Sequence, residues 1–159
     1  MLNKVKTAEI RRPTLDDVID LAPRLREADK LELYRMSHLD PQTALEASFN
    51  ASPFCLCGVG DGRVECMFGV GTNSPLSNVG RPWFLTTEVT IHNADIFKAH
   101  TPRVVEMMKE GYDYLENWVD SENVVAVYWL QKHGFTMADK PQPCGPEGHP
   151  FYHFYWRRN

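Results

Sequence analysis

Asn123-Val-Val-Ala126-Val-Tyr128-Trp129-Leu130-Gln-Lys-His133-Gly134-Phe135 is the stretch whose reading decides the fold. It opens on a polar residue, continues as an apolar helical face and ends in Gly-Phe. Ser121 or Glu122 is expected to start the helix, which ends near His133. Gly134 suits the left-handed position that closes many helices. Just upstream, Leu115 to Val119 reads as a short strand. Just downstream, residues 136–140 are an ambiguous strand and 141–150 a loop rich in Pro and Gly. Phe151-Tyr-His-Phe-Tyr-Trp156 reads as the last strand.

Towards the N-terminus the punctuation is equally local. Residues 5–12 form a strand that Pro13 stops. Thr14 offers an N-cap, with Asp16 and Asp17 in the first turn. Leu15, Val18, Ile19, Ala22 and Leu25 recur at helical spacing, which predicts an amphipathic helix over 15–27. A second helical region over 29–50 is broken at Asp40-Pro41, where Asp40 caps a new helix. Asp61-Gly62 between two alternating runs predicts a hairpin of 54–60 with 63–71. That turn sets Cys57 opposite Cys66, with Cβ atoms about 4.5–5.5 Å apart. Residues 74–82 are a loop. Trp83 to Ile91, rich in aromatic and β-branched residues, reads as a central strand. Thr101 then caps a helix with Pro102 at its first position, running to about Asp113 on a Val105, Met108, Tyr112 stripe. The order is β-α-α-β-β-β-α-β-α-β-β, a mixed α/β sheet expected as a single domain over residues 1–159.

Composition narrows the function classes. The hydrophobic fraction of 43% supports a packed core. A net charge of -4 without a basic stripe argues against nucleic acid as partner. No apolar run approaches the roughly 18–20 residues that span a membrane. Met1 to Thr7 has no apolar segment of a secretory signal, so the expectation is a protein that stays in the cytoplasm. There the four cysteines, at 55, 57, 66 and 144, remain thiols. Cys144, His149 and His153 are metal-capable but lack a fourth ligand and zinc spacing.

The 123–135 stretch resembles the C-terminal helix of the GNAT N-acetyltransferase superfamily, of the form N-x-x-A-x-x-x-Y-x-x-x-G-F. Ile10-Arg-Arg-Pro-Thr-Leu-Asp-Asp-Val18 resembles the opening of many such domains, and the element order matches nearly end to end. The resemblance implies a GNAT fold in which two parallel strands part and an acetyl-CoA arm lies between them. Its diphosphate would rest on backbone N–H groups at a helix start, usually in a loop Q/R-x-x-G-x-G/A. The matching stretch here, His92 to Arg103, contains no glycine, and Pro102 removes a donor. Lys98, Thr101 and Arg103 are the residues left to hold the cofactor, with Asn123 matching the superfamily's asparagine. The sequence therefore permits acetyl-CoA without requiring it. The tyrosine that in many members protonates the leaving thiolate falls at Leu130. Tyr128 lies two residues earlier, about 200° away around the helix, and is expected to pack on the sheet. Glu88, on the expected central strand, matches the carboxylate that several members use as general base.

A narrower resemblance runs through Leu115-Glu-Asn117-Trp-Val119, Trp129-Leu130-x-x-x-Gly134-Phe135 and Gly145-Pro-Glu-Gly148-x-Pro-Phe151-x-x-Phe154. These residues look like those of GNAT-like internal virion proteins of short-tailed bacteriophages, whose members tend to lack the glycine-rich loop. That resemblance implies a role in virion morphogenesis in the host cytoplasm or the virion. It implies binding to a phage assembly or host protein. Of the last strand's Tyr152, Tyr155 and Trp156, those on an outward half are the expected contacts, and the other half is expected to pack in the core. An active acetyl-CoA-dependent N-acetyltransferase acting on a host or phage amine is the alternative.

Overall fold

The computed structural model describes residues 4–159. The chain builds one eight-stranded sheet with helices on both faces. The elements are β1 (Ala8–Arg11), α1 (Leu15–Leu21), a 3-10 turn (Ala22–Arg24), α2 (Glu27–Ser37), α3 (Pro41–Asn50), β2 (Phe54–Gly60) and β3 (Arg63–Gly71). They continue as β4 (Val79–Thr86), α4 (Glu88–His92), α5 (Ala94–Lys98), α6 (Thr101–Lys109) and β5 (Tyr114–Asp120). Last come α7 (Val124–Lys132), β6 (Thr136–Met137), β7 (Gln142–Cys144) and β8 (His149–Arg157). The sheet order is β1-β2-β3-β4-β5-β8-β6, with β7 paired to β8.

Local signals place most boundaries. Thr14 and Asp17 form a reciprocal capping box on α1. Asp40 caps α3 through Thr43 N at 3.1 Å. Asp61 and Gly62 both take positive φ in the turn between β2 and β3. Gly134 closes α7 at φ 90°. The α1 stripe is only partly inward: Val18 and Leu21 are buried, while Leu15 and Ile19 are exposed.

Four expectations need correction. The Trp83–Ile91 strand stops at Thr86, and Glu88 to His92 turn into α4 despite their β-branched residues. The Glu65 carbonyl accepts Thr87 N at 2.9 Å and Thr90 Oγ1 at 3.2 Å, pinning the chain into a helical turn. Cys57 faces Met67, not Cys66, which faces Gly58. The cause is a bulge: Gly58 and Val59 oppose Cys66 and Val64, so Glu65 is the extra residue. It turns inward, where its carboxylate meets Arg24 Nη1 at 2.6 Å. Thr101 is the first helical residue of α6 rather than its cap; His100 precedes it without a side-chain cap. The 141–150 loop contains β7.

The core has two layers, as alternation along the strands requires. Below the sheet, Val18, Leu21, Leu25 and Leu45 pack on Cys57, Met67 and Leu85. Above it, Val104, Val105, Met108 and Leu130 pack on Phe68, Val70, Leu115 and Phe154. All four cysteines are free. Burial pushes the Cys66 thiol up to about 12, so it packs as a small apolar group. Tyr152 and Trp156 pack on the upper core, leaving Tyr155 on the other face beside Tyr114.

The β7–β8 turn is nested against α2. Gly145 has φ 74°, and a Cβ there would run into the Arg35 carbonyl. Gly145→Ala therefore meets a left-handed backbone and an overpacked contact together. It is expected to cost roughly 2–3 kcal/mol, read as a lowered urea midpoint.

Candidate active site

The site arises where the sheet changes from antiparallel to parallel. β4 and β5 run parallel but pair only at Val79 with Tyr114 and Gly80 with Leu115. Beyond these pairs the strands separate. Asn117 Nδ2 reaches across to the Pro82 carbonyl at 3.0 Å. On the far side of β4, Thr87 N bonds to β3, whereas Thr86 N turns away to Asp29 Oδ2 at 3.1 Å. Strand alternation then turns the Phe84 N–H and C=O into the gap.

Two cavities converge on this gap. The first, about 340 Å³, lies among α2, α3, β4, β5 and α7. The second, about 270 Å³, lies among β2, β3, α4, α5, α6 and α7. Phe84, Ile91, Val125 and Trp129 line both. Phe84 stacks on Trp129 with ring centroids 5.3 Å apart, between Phe68 at 5.6 Å and the Trp129–His133 contact at 4.7 Å. These rings form the partition between the chambers.

Arg26, Asp29 and Glu32 give the first chamber an ionic floor, and Arg35 lies beyond it on the same helix. Arg26, Asp29, Glu32 and Arg35 recur every three residues from the cap of α2 along one side of the helix. Asp29 is 2% exposed. Its Oδ1 accepts Asn123 Nδ2 at 3.1 Å and Arg26 Nη1 at 3.3 Å, and its Oδ2 accepts Thr86 N. Arg35 Nη1 donates to Asp120 Oδ2 at 3.0 Å and to Glu122 Oε2 at 2.6 Å. Glu32 Oε1 accepts Asp120 N at 2.8 Å and Asn123 Nδ2 at 3.5 Å. Burial, with Asp29 and Asp120 nearby, raises the Glu32 carboxyl to about 8. Among the described residues, no sealed side-chain polar atom is without a partner. Glu32 Oε2 has no such partner among the described residues, so it is not sealed, and Glu32 lines the chamber.

The second chamber is apolar inside, with Lys98, His100, Thr101, Lys132 and His133 in its lining. Burial and then Lys132 push His133 below its usual value, so it is neutral near pH 7.

The residues singled out from sequence separate. Lys98 and Thr101 line the second chamber. The Thr101 hydroxyl donates to the Phe97 carbonyl at 3.5 Å. Arg103 is exposed and lines neither chamber. Asn123 is buried, with its amide committed to Arg26, Asp29 and Glu32 on the floor of the first chamber. Glu88 is not on a strand. It opens α4 with its side chain 52% exposed, 3.9 Å from Arg26 Nε, and lines neither chamber. Leu130 is buried, as its core position requires, and borders the first chamber. Tyr128 is 66% exposed beside the second chamber instead of packing on the sheet. Glu32 and Asp29 went unseen because a charged run on a helix ordinarily reads as a solvated face. The three-residue recurrence was the available signal. Another was the reversed amphipathicity of α2, where Leu31 and Tyr34 are exposed and Asp29 is buried.

Solved structures of the same architecture carry acetyltransferase names. Ard1 from Thermoplasma volcanium superposes with a TM-score of 0.72 at 13% identity, over 97% of this chain and 99% of that one. The fold is that of the GNAT acetyltransferases. An N-acetyltransferase from Staphylococcus aureus Mu50 gives 0.71 at 16% identity, over 96% and 99%. A Vibrio cholerae spermidine N-acetyltransferase in complex with CoA and spermine gives 0.68 at 10% identity, over 96% of each chain. No protein-family model matches the chain. No curated protein sequence matches it either. Among the described residues, no helix of this GNAT fold is long and apolar enough to cross a membrane, and no group of three or more His, Cys, Asp or Glu side chains gathers to hold a metal.

Proposed function

We propose that the chain is an acetyl-CoA-dependent N-acetyltransferase with Glu32 as the group that takes the acceptor's proton. One observation carries this reading. A parallel strand pair opens beyond its first two residue pairs, and two chambers meet in the opening, one of them holding a carboxyl with an elevated proton affinity.

The fit to the cofactor is uneven along its length. The Phe84 peptide groups in the gap suit an amide-bearing arm. Pro82, one turn of the pleat away, has no N–H, and its carbonyl is already taken by Asn117. No glycine-lined amide cradle stands at the phosphate end. Two side-chain cations, Lys98 and Lys132, with His100 beside them, take its place. When bound, acetyl-CoA supplies the activated acyl group. The chain's own residues hold the acceptor amine in the first chamber, keep water out with the apolar walls, and receive one proton on Glu32 Oε2. With Leu130 at the usual tyrosine position, no side chain there protonates the thiolate, which leaves that proton to solvent or to the Glu32 carboxyl.

Leu130 and the absent glycines favour a second reading, in which the fold binds without turnover. In that reading the chain serves bacteriophage virion morphogenesis in the host cytoplasm or the particle, against an assembly or host protein. Titrating acetyl-CoA while following thermal unfolding separates the two. At a hundred times its dissociation constant the ligand stabilises the fold by about 2.7 kcal/mol. The same titration of Lys98→Glu combined with Lys132→Glu is expected to need at least tenfold more ligand. A flat response of the unaltered chain removes the transferase and leaves the assembly reading.

A further inference from the structure

From the charge pattern and walls of the first chamber, we infer that its acceptor is a small primary amine that carries no second charge, mounted on an aromatic or branched apolar body. This rests on the acyl-transfer reading of that chamber. Both Asp29 oxygens are engaged, by Thr86 N, Asn123 and Arg26. Both Asp120 oxygens face Arg35. Arg26 is held by Asp29 and Asn123, with Glu88 at 3.9 Å, and Arg35 by Asp120 and Glu122. Among the carboxylates of the described lining, Glu32 Oε2 is the oxygen left to meet an incoming cation. The Arg26 guanidinium already shares its charge with Asp29 and, at 3.9 Å from Nε, with Glu88, which leaves little for an incoming carboxylate.

The rest of the lining decides against extra charge. Leu33, Met36, Trp83, Leu85, Trp118 and Trp129 supply the walls. A second ammonium laid along them finds no carboxylate, and an indole face offsets only part of its lost hydration. A carboxylate beside the amine, as in an amino acid, meets the same walls and the repulsion of Glu32, the lining carboxylate without an arginine partner. At about 340 Å³ the cavity lies at the small end of the ligand-sized range, about 300–1,000 Å³. A compact body fills it.

The test uses the intact chain and three probes: 2-phenylethylamine, spermidine and phenylalanine. Each is titrated calorimetrically at pH 8.5 and at pH 6.5, with and without CoA. The expected result is 2-phenylethylamine binding at least tenfold more tightly than either other probe. Its affinity is expected to fall at pH 6.5, where burial and the Asp29 and Asp120 carboxylates, outweighing the hydrogen bonds from Asp120 N and Asn123 and the paired Arg26 and Arg35, leave the Glu32 carboxyl protonated. Glu32→Gln is expected to weaken that probe at least tenfold at pH 8.5 and to abolish the pH difference. Should that variant not fold, the pH difference in the unaltered chain alone decides. Spermidine or phenylalanine binding as tightly as 2-phenylethylamine overturns the inference, as does no binding of 2-phenylethylamine with or without CoA. Acetyl-CoA binding without selectivity among the probes sinks this inference and leaves the transfer reading standing. Selective amine binding with no acetyl-CoA response sinks the transfer reading instead.

Discussion

Asp29→Ala is expected to remove about 3–5 kcal/mol of stability, the scale for breaking a buried ion pair on one side. The carboxylate is the shared acceptor of three donors from three parts of the chain: Arg26, Thr86 N and Asn123 Nδ2. Without it the Arg26 guanidinium keeps Asn123 Oδ1 and a 3.9 Å approach to the exposed Glu88 carboxylate. Thr86 N loses its partner inside the protein, which carries its own desolvation cost. Folded domains are stable by about 5–15 kcal/mol in total, so this variant stands near the edge of folding. Asp29→Asn retains an acceptor for Thr86 N but not the charge, and should fall between. Urea unfolding at constant slope reads the difference. A loss under about 1 kcal/mol for the alanine variant would show that the cluster reorganises around water and contributes little.

Glu32→Gln is the complementary case, with a small structural effect and a large chemical one. The amide keeps an oxygen for Asp120 N and Asn123, so the floor of the chamber stays bonded. It cannot take a proton. Losing a positioned base lowers rates by about 10²–10⁴-fold, and that loss is expected in kcat/KM for acetyl transfer. The pH profile sharpens the test. Glu32 holds its proton up to about 8, so kcat/KM of the unaltered enzyme should climb with pH and level near there. In Glu32→Gln that break should vanish. Stability moves the opposite way. Between the ordinary value of 4.5 and about 8, the folded chain retains a proton that the unfolded chain has released. Stability therefore falls as pH rises through that window, and Glu32→Gln should flatten the slope. An unchanged profile in both measurements would return the base role to open question, with Glu88 the next carboxylate to replace.

The legible parts of the fold were those written within a few residues. Thr14 with Asp17, Asp40 before Pro41, Asp61-Gly62 and Gly134 each satisfy their own backbone locally, so their reading needed no partner. The failures depend on distant partners. Val89, Thr90 and Ile91 have strand propensity, yet Glu65 holds that segment in a helical turn through Thr87 and Thr90. The same residue, bulged out of β3, shifted Cys66 away from Cys57. The floor of the first chamber is the extreme instance: Asp29 is buried by bonds to Thr86 and Asn123, 57 and 94 positions away. Asn123 was visible as a motif residue, but its task is to tie α7 to α2. The resemblance in the 123–135 stretch pointed to the architecture without indicating which carboxyl faces the gap.

The sheet ends in short pieces. β1 is four residues long and β6 only two. Arg11, Arg12 and Pro13 close the first rim, and Lys140-Pro141 follows soon after the second. An unpaired strand offers a neighbour a row of amides and carbonyls to zip onto, and the hazard grows with its length. Rims this brief leave little to copy, so so wide a sheet can remain crowded among other molecules without polymerising through its borders.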